Sequence, residues 1–297
     1  VKIDLFDDDE LFDEEPAKPE RRRPPREPRR RRGSGETAKR ILVALPWIVF
    51  AIAITVAGGI VFAAAMVGLG VVALREFTGM ASRYRPLVVP AYIGVAALVL
   101  AAELGTAFNV LYVLAAAFVL IFAFVARAQH GEGATASMGV TLLGVVWIGV
   151  PLAHAVLLRG LPDHGAALLI DVLVGTFVAD TAAYATGRMF GSHKIAPNLS
   201  PNKTVEGLLG GFVIGTMGFW FAGLYQDWLS GVDALMIGAA VAAVAPIGDL
   251  FESMLKRDLG TKDTGTLFGP HGGLLDRLDA VFFTVVVGYY LAVAVVY

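Results

Sequence analysis

From Ile41 to Tyr297 the sequence is a succession of apolar runs, near 41–57, 60–74, 87–104, 106–126, 136–157, 166–187, 207–226, 234–254 and 278–297. Most approach the ~17–25 residues that a helix rising 1.5 Å per residue needs to cross a ~30 Å hydrocarbon core. Nine crossings is the natural count. The division of Ile41–Leu74 is the weakest, because this stretch has no charged residue and only Gly58-Gly59 as a break. As one helix it would run about 51 Å, far beyond the hydrocarbon core, so two helices in a hairpin are expected. With 56% hydrophobic residues and a mean hydropathy of +0.67, a soluble enzyme is disfavoured. The fold class expected is an all-α integral membrane protein with about nine transmembrane helices.

Charge is placed unevenly. Residues 1–40 hold 12 Lys/Arg and 11 Asp/Glu, so 23 of the chain's 50 charged side chains lie in the first forty positions. This tail is acidic with interleaved Leu5, Phe6, Leu11 and Phe12, then rich in Arg and Pro from Arg21 to Arg40. Neither half can bury a core, and a disordered cytoplasmic tail is expected. About forty polar residues precede the first apolar run, which disfavours a secretory signal. The basic half would attract anionic lipid headgroups, and the acidic half would suit a partner-binding peptide. Three regions follow: the tail at 1–40, N-terminal membrane helices at 41–165, and a C-terminal catalytic region at 166–297.

With the tail cytoplasmic and nine crossings, eleven Lys/Arg residues from Arg75 to Arg277 fall on the cytoplasmic side and only Arg159 on the other. That asymmetry obeys the positive-inside bias. A multi-pass protein of the plasma (inner) membrane, with its N-terminus and active site cytoplasmic, is expected. No internal repeat of the inverted-transporter kind is evident.

Positions 180–279 carry 17 of the 27 charges outside the tail, which marks the candidate active site. Asp180, Tyr184 and Arg188 recur at i, i+4 and i+8 and share one helical face. A carboxylate within an apolar run normally faces the bundle interior, to brace it or to act chemically. Asp171 is open to either reading. The stretch from Ser200 through Lys203 and Thr204 to Glu206 suits a phosphate, because its hydroxyls and amine sit before a helix N-terminus. It equally suits a simple helix cap at Thr204.

Asp249, Glu252, Ser253 and Lys256 fall at i, i+3, i+4 and i+7, a polar stripe on an apolar helix. Arg257, Lys262, Asp263 and His271-Gly272-Gly273 follow, then Asp276-Arg277-Leu278-Asp279 opens the last run. Asp276 and Asp279 share a face. Asp249 and Asp276, at neighbouring helix ends, can converge on one or two Mg²⁺ ions through carboxylate oxygens. With no cysteine and five scattered histidines, a soft-metal site has little to be built from. Lys and Arg gathered with Asp at a membrane surface point to a phosphorylated substrate and a divalent cation. His271 is open between ordering its loop, contacting phosphate and acting as an acid or base.

The run Ser253-Met254-Leu255-Lys256-Arg257, Lys262-Asp263 and His271-Gly272-Gly273-Leu274-Leu275-Asp276-Arg277-Leu278-Asp279 resembles the signature of the phosphatidate cytidylyltransferases, or CDP-diacylglycerol synthases. About a dozen positions agree over these 27 residues. Asp180, Tyr184, Gly187, Phe190-Gly191, Ser200-Pro201, Lys203-Thr204, Glu206-Gly207 and Gly248-Asp249 resemble the family too. The tail lies outside the likeness. The resemblance implies attack by phosphatidic acid on the α-phosphate of CTP, giving CDP-diacylglycerol and pyrophosphate. It implies Mg²⁺ on Asp249 and Asp276, a further monovalent cation such as K⁺ in some members, and a homodimer.

On this reading Asp249, Asp276, Lys256, Lys262 and Arg277 are the catalytic candidates. Asp180, Tyr184, Ser200, Lys203, Thr204, Glu206, Glu252, Ser253, Arg257, Asp263, His271, Gly272, Gly273 and Asp279 are the substrate-binding ones. The partners are CTP, phosphatidic acid and the bilayer, with no nucleic acid. A CTP-dependent polyprenol or phytol kinase is the alternative within enzymes, and an ion-coupled transporter outside them. A P-loop is absent.

Overall fold

The computed structural model of the protein describes residues 34–127, 131–197, 199–265 and 272–297, with side chains from residue 46 onward. The tail expectations therefore fall almost wholly outside the described residues. The chain divides into a unit of residues 1–46 and a second unit, Trp47–Tyr297. The first contributes the start of helix α1 (Ser34–Ala57), and the second holds everything below.

Nine helices form among the described residues. After α1 come α2 (Gly59–Met80), α3 (Val88–Leu104), α4 (Ala107–Arg127) and α5 (Ala134–Arg159). They are followed by α6 (Gly165–Phe190), α7 (Val205–Gly223), α8 (Gly231–Asp258) and α9 (Leu275–Val295). Seven are long and apolar enough to cross a membrane, and Pro46–Ala57 and α3 are shorter apolar helices. Helices suit that solvent because every backbone N–H and C=O is bonded within the segment. Several extend past the apolar run that announced them. In particular, α2 continues to Met80 and carries Arg75 and Glu76 within it.

The hairpin expected within Ile41–Leu74 is present. Gly58 has φ +62° and Gly59 φ +50°, a left-handed turn that side chains disfavour. Arg159 completes it: its Nε donates to Thr55 O at 2.6 Å and its Nη2 to Val56 O at 3.3 Å. These carbonyls end α1 and have no partner within the helix. A Cβ on Gly58 would stand 2.0 Å from Arg159 Nη2.

Helix α5 is interrupted by a π-helical turn at Val145–Gly149. Its Trp147 sits edge-on to Phe77 of α2, Phe251 of α8 and Phe282 of α9, with ring centroids 5.8, 5.4 and 6.2 Å away. Helices α6 and α7 approach closely along small residues. A Cβ on Gly211 would lie 2.9 Å from Ala179 O, and one on Gly215 2.6 Å from Ala179 Cβ.

Between α6 and α7 the chain forms an antiparallel hairpin of β1 (Lys194–Ala196) and β2 (Ser200–Thr204). Its base is closed by Val205 N donating to His193 O at 2.9 Å. The amides of Ser192 and His193 also donate to the Glu206 carboxylate.

Candidate active site

One end of the bundle gathers the C-terminal ends of α2, α6 and α8 and the N-terminal ends of α7 and α9. Arg83, just after α2, pairs with Asp258 at the end of α8 at 3.3 Å. The opposite end carries the Arg159 turn, the Tyr297 hydroxyl donating to Pro162 O, and His164 stacked on Trp228 at 4.0 Å.

At the charged end, two lysines tie separate elements together. Lys203 of β2 places Nζ 2.7 Å from Asp249 Oδ2 of α8 and donates to Pro246 O at 3.3 Å. Lys256 of α8 places Nζ 2.9 Å from Glu252 Oε2, one turn back on its own helix, and 2.7 Å from Asp276 Oδ1 of α9. The i, i+3, i+4 and i+7 stripe read from sequence therefore reaches α9 through Lys256. Asp276 Oδ2 accepts from Thr264 N, Thr264 Oγ1 and Gly273 N at 3.0, 2.8 and 2.8 Å. Both oxygens of Asp276 are thus hydrogen-bonded by protein donors.

Asp249, Glu252 and Asp279 form a second grouping, with one carboxylate oxygen of each within 4.8 Å of the other two. Helix α9 reaches α8 here because Gly248 has no side chain, and a Cβ there would lie 2.3 Å from Asp279 O. Glu252 is 1% exposed, and its Oε1 has no hydrogen-bond partner among the described residues. Three carboxylates this close repel unless cations or a shared proton offset their charge; Lys203 and Lys256 reach two of them, and a bound cation would reach all three. An all-oxygen donor set suits a hard divalent ion. These residues fit such a metal. Asp276, paired in sequence reasoning with Asp249, lies across Lys256 from this grouping.

The remaining candidates are placed as follows. Asp180 of α6 interacts electrostatically with Asp279, Asp249 and Lys203. It also lines a small pocket with Ala183, Leu208, Phe212, Ala242 and Pro246. Tyr184, on the same face, accepts from Arg188 Nη1 at 3.1 Å. Ser200 starts β2. Thr204 is buried and caps α7, accepting from Gly207 N at 3.1 Å. Glu206 takes His193 Nδ1 at 2.6 Å. Ser253 Oγ lies 3.4 Å from Asp249 Oδ1, and Arg257 Nε donates to Leu199 O at 3.4 Å. Lys262, Asp263 and Arg277 are exposed, whereas Gly272 and Gly273 are buried. His271 lies outside the described residues.

Sequence reasoning passed over Glu76. Its carboxylate accepts from Thr264 Oγ1 at 3.2 Å, Leu274 N at 2.9 Å and Leu275 N at 3.0 Å. The signal was available: Glu76 is the first carboxylate after the tail, and an acidic residue on an apolar membrane helix marks a site.

Three similar proteins cover parts of this arrangement. The phosphatidate cytidylyltransferase of Haemophilus influenzae is 39% identical over 125 residues, 40% of this chain and 43% of that protein. That of Thermotoga maritima is 42% identical over 134 residues, 43% of this chain and 49% of that protein. The uncharacterized protein YnbB of Escherichia coli is 38% identical over 143 residues, 47% of this chain and 48% of that protein. The chain spans about half the length of the curated relatives it matches. The family model described as the cytidylyltransferase family matches residues 38–295, nearly all of the helical part. With these helices and this charged end, the chain is a multi-pass membrane protein that belongs to the cytidylyltransferase family.

Proposed function

We propose that the protein is a phosphatidate cytidylyltransferase, converting CTP and phosphatidic acid to CDP-diacylglycerol and pyrophosphate for phospholipid synthesis. The observation that carries the reading is the convergence, at one membrane end, of the Lys203–Asp249 and Lys256–Asp276 pairs beside the carboxylates of Asp249, Glu252 and Asp279. A nucleotide triphosphate needs cations arranged around its oxygens, and a lipid phosphate is presented at such a surface.

An oxygen of the lipid phosphate forms a bond to the α-phosphorus of CTP while the bond to the β-phosphate oxygen breaks. No general base is required, because a phosphate monoester is largely ionised at pH 7. Positioning then supplies most of the acceleration. Lys203, Lys256, Lys262 and Arg277 hold phosphate oxygens, and Asp180 keeps Lys203 directed into the site. Asp249, with Glu252 and Asp279 beside it, is proposed to hold one Mg²⁺, and Asp276, on the other side of Lys256, is the proposed ligand of a second. A divalent ion bound here would neutralise charge developing on the leaving pyrophosphate. The charged end faces the cytoplasm at the plasma membrane, as the distribution of Lys and Arg supports. A homodimer and a monovalent ion such as K⁺ complete the proposal.

The test is incubation of purified protein with phosphatidic acid, labelled CTP and Mg²⁺. CDP-lipid and stoichiometric pyrophosphate are expected, and neither rising above a boiled control would refute the reading. In a parallel incubation with polyprenol or phytol in place of phosphatidic acid, release of CDP with the phosphorylated alcohol would point to a lipid kinase instead.

A further inference from the structure

Glu76 lies on α2, well over a hundred residues before the signature, yet its carboxylate grips the start of α9. The amides of Gly273, Leu274 and Leu275 are consecutive donors at that helix start, where no intrahelical partner exists. The first goes to Asp276 Oδ2, at 2.8 Å. The next two go to Glu76 Oε1 and Oε2, at 2.9 and 3.0 Å. The Thr264 hydroxyl lies within reach of both side chains, 2.8 Å from Asp276 Oδ2 and 3.2 Å from Glu76 Oε2. It has one proton to give, so the two carboxylates share it in a three-centre bond, with Asp276 Oδ2 the nearer acceptor.

The surrounding backbone is shaped around this side chain. A Cβ on Gly273 would lie 2.4 Å from Glu76 Oε2, and one on Gly265 2.6 Å from Glu76 Oε1. Two glycines on opposite sides of the 266–271 segment therefore close on the same carboxylate. Helix α2 in turn is anchored in the core by Phe77, which is 1% exposed and packs edge-on to Trp147.

We propose that Glu76 is a positioning residue for the cytidylyl transfer: it fixes the start of α9 and Thr264, and through them the orientation of Asp276 toward Lys256. This rests on the reading of the site as a phosphatidate cytidylyltransferase. Glutamine at this position has nearly the same shape but turns one acceptor into an NH₂ group facing backbone N–H donors. Its effect is therefore electronic rather than a matter of volume.

The test uses the full chain in detergent as Glu76→Gln, Glu76→Asp, Thr264→Val and the Glu76→Gln/Thr264→Val double variant. Supporting outcomes come from kinetics and exchange together. Glu76→Gln lowers kcat about 10- to 100-fold, the usual cost of losing a group that orients a ligand. KM for CTP and for lipid moves less than about threefold, Glu76→Asp recovers part of kcat, and the double variant is little worse than the more impaired single one. Amide exchange over residues 272–276 accelerates about tenfold in Glu76→Gln. A kcat within about threefold of the parent, a loss confined to KM, or losses that multiply in the double variant would each overturn the proposal. If Glu76→Gln does not fold, Glu76→Asp and Thr264→Val carry the same kinetic comparison. If the parent itself makes no CDP-lipid, the functional reading falls on its own. Unchanged exchange would then separately show that Glu76 does not hold these amides.

Discussion

Lys203 Nζ and Asp249 Oδ2 stand 2.7 Å apart, so an amine from the hairpin before α7 neutralises one of three clustered carboxylates on α8 and α9. A lysine in that place competes with any divalent ion for the same oxygen. Unit charges about 4 Å apart at an effective dielectric near 20 attract by about 4 kcal/mol before desolvation is counted, which sets the scale of this competition.

Replacing it should move two quantities in opposite directions. In Lys203→Met, Mn²⁺ binding, followed by paramagnetic resonance without substrate, tightens because the competing cation is gone. Turnover falls about 10²- to 10³-fold, because the proposed phosphate clamp is lost with it. Weaker Mn²⁺ binding in the variant would contradict this competition.

The carboxylates are separable by the same pair of measurements. Asp249→Asn and Asp276→Asn should each lower turnover by orders of magnitude, about 10³-fold, while the protein still extracts and folds. Glu252→Gln and Asp279→Asn weaken Mn²⁺ binding measured without substrate, because both sit with Asp249 in one grouping. Near-normal turnover in Asp249→Asn or Asp276→Asn would remove that residue from the metal-dependent machinery.

The α6–α7 contact should be intolerant of bulk. In Gly215→Leu the first added carbon already falls 2.6 Å from Ala179 Cβ, so the helices must separate. A loss of about 1–3 kcal/mol is expected from overpacking, read as a lower melting temperature in detergent. Activity should fall with it, since α6 carries Asp180 and α7 begins where the hairpin ends. An unchanged melting temperature would mean that the two helices are not closely apposed.

Removing residues 1–36 should leave turnover in detergent close to that of the full chain, because no residue of the signature lies there. The same truncation assayed on vesicles tests the basic half of the tail, whose attraction to anionic lipid is worth about 1 kcal/mol per Lys or Arg near the surface. A loss of activity in detergent would place part of the tail in the catalytic machinery.

The helices were legible because hydrocarbon admits few alternatives: apolar runs announced them, and Gly58-Gly59 divided the first pair. Their ends were less legible, since Arg75, Glu76, Lys256 and Arg257 are polar yet helical. Periodicity correctly put Asp249, Glu252 and Lys256 on one stripe, and Asp276 with Asp279 on one face. It could not say which member of one face meets which member of the other, because that depends on helix rotation. Gly248 fixes the rotation by letting α8 touch the backbone of Asp279, and so brings Asp279 to Asp249 and Glu252. Asp276 instead turns to Lys256. Glu76 escaped notice because its role is a contact across 198 residues of sequence, with no local pattern to betray it.

The Gly58 turn has a consequence for biogenesis. Its closing guanidinium belongs to Arg159, which follows Thr55 by 104 positions. At about 5–20 residues per second of synthesis, about 5–20 s pass between the making of Thr55 and the making of its latch. The opening hairpin must therefore be held by the translocon or by lipid alone, and it locks only once the fifth helix has been threaded.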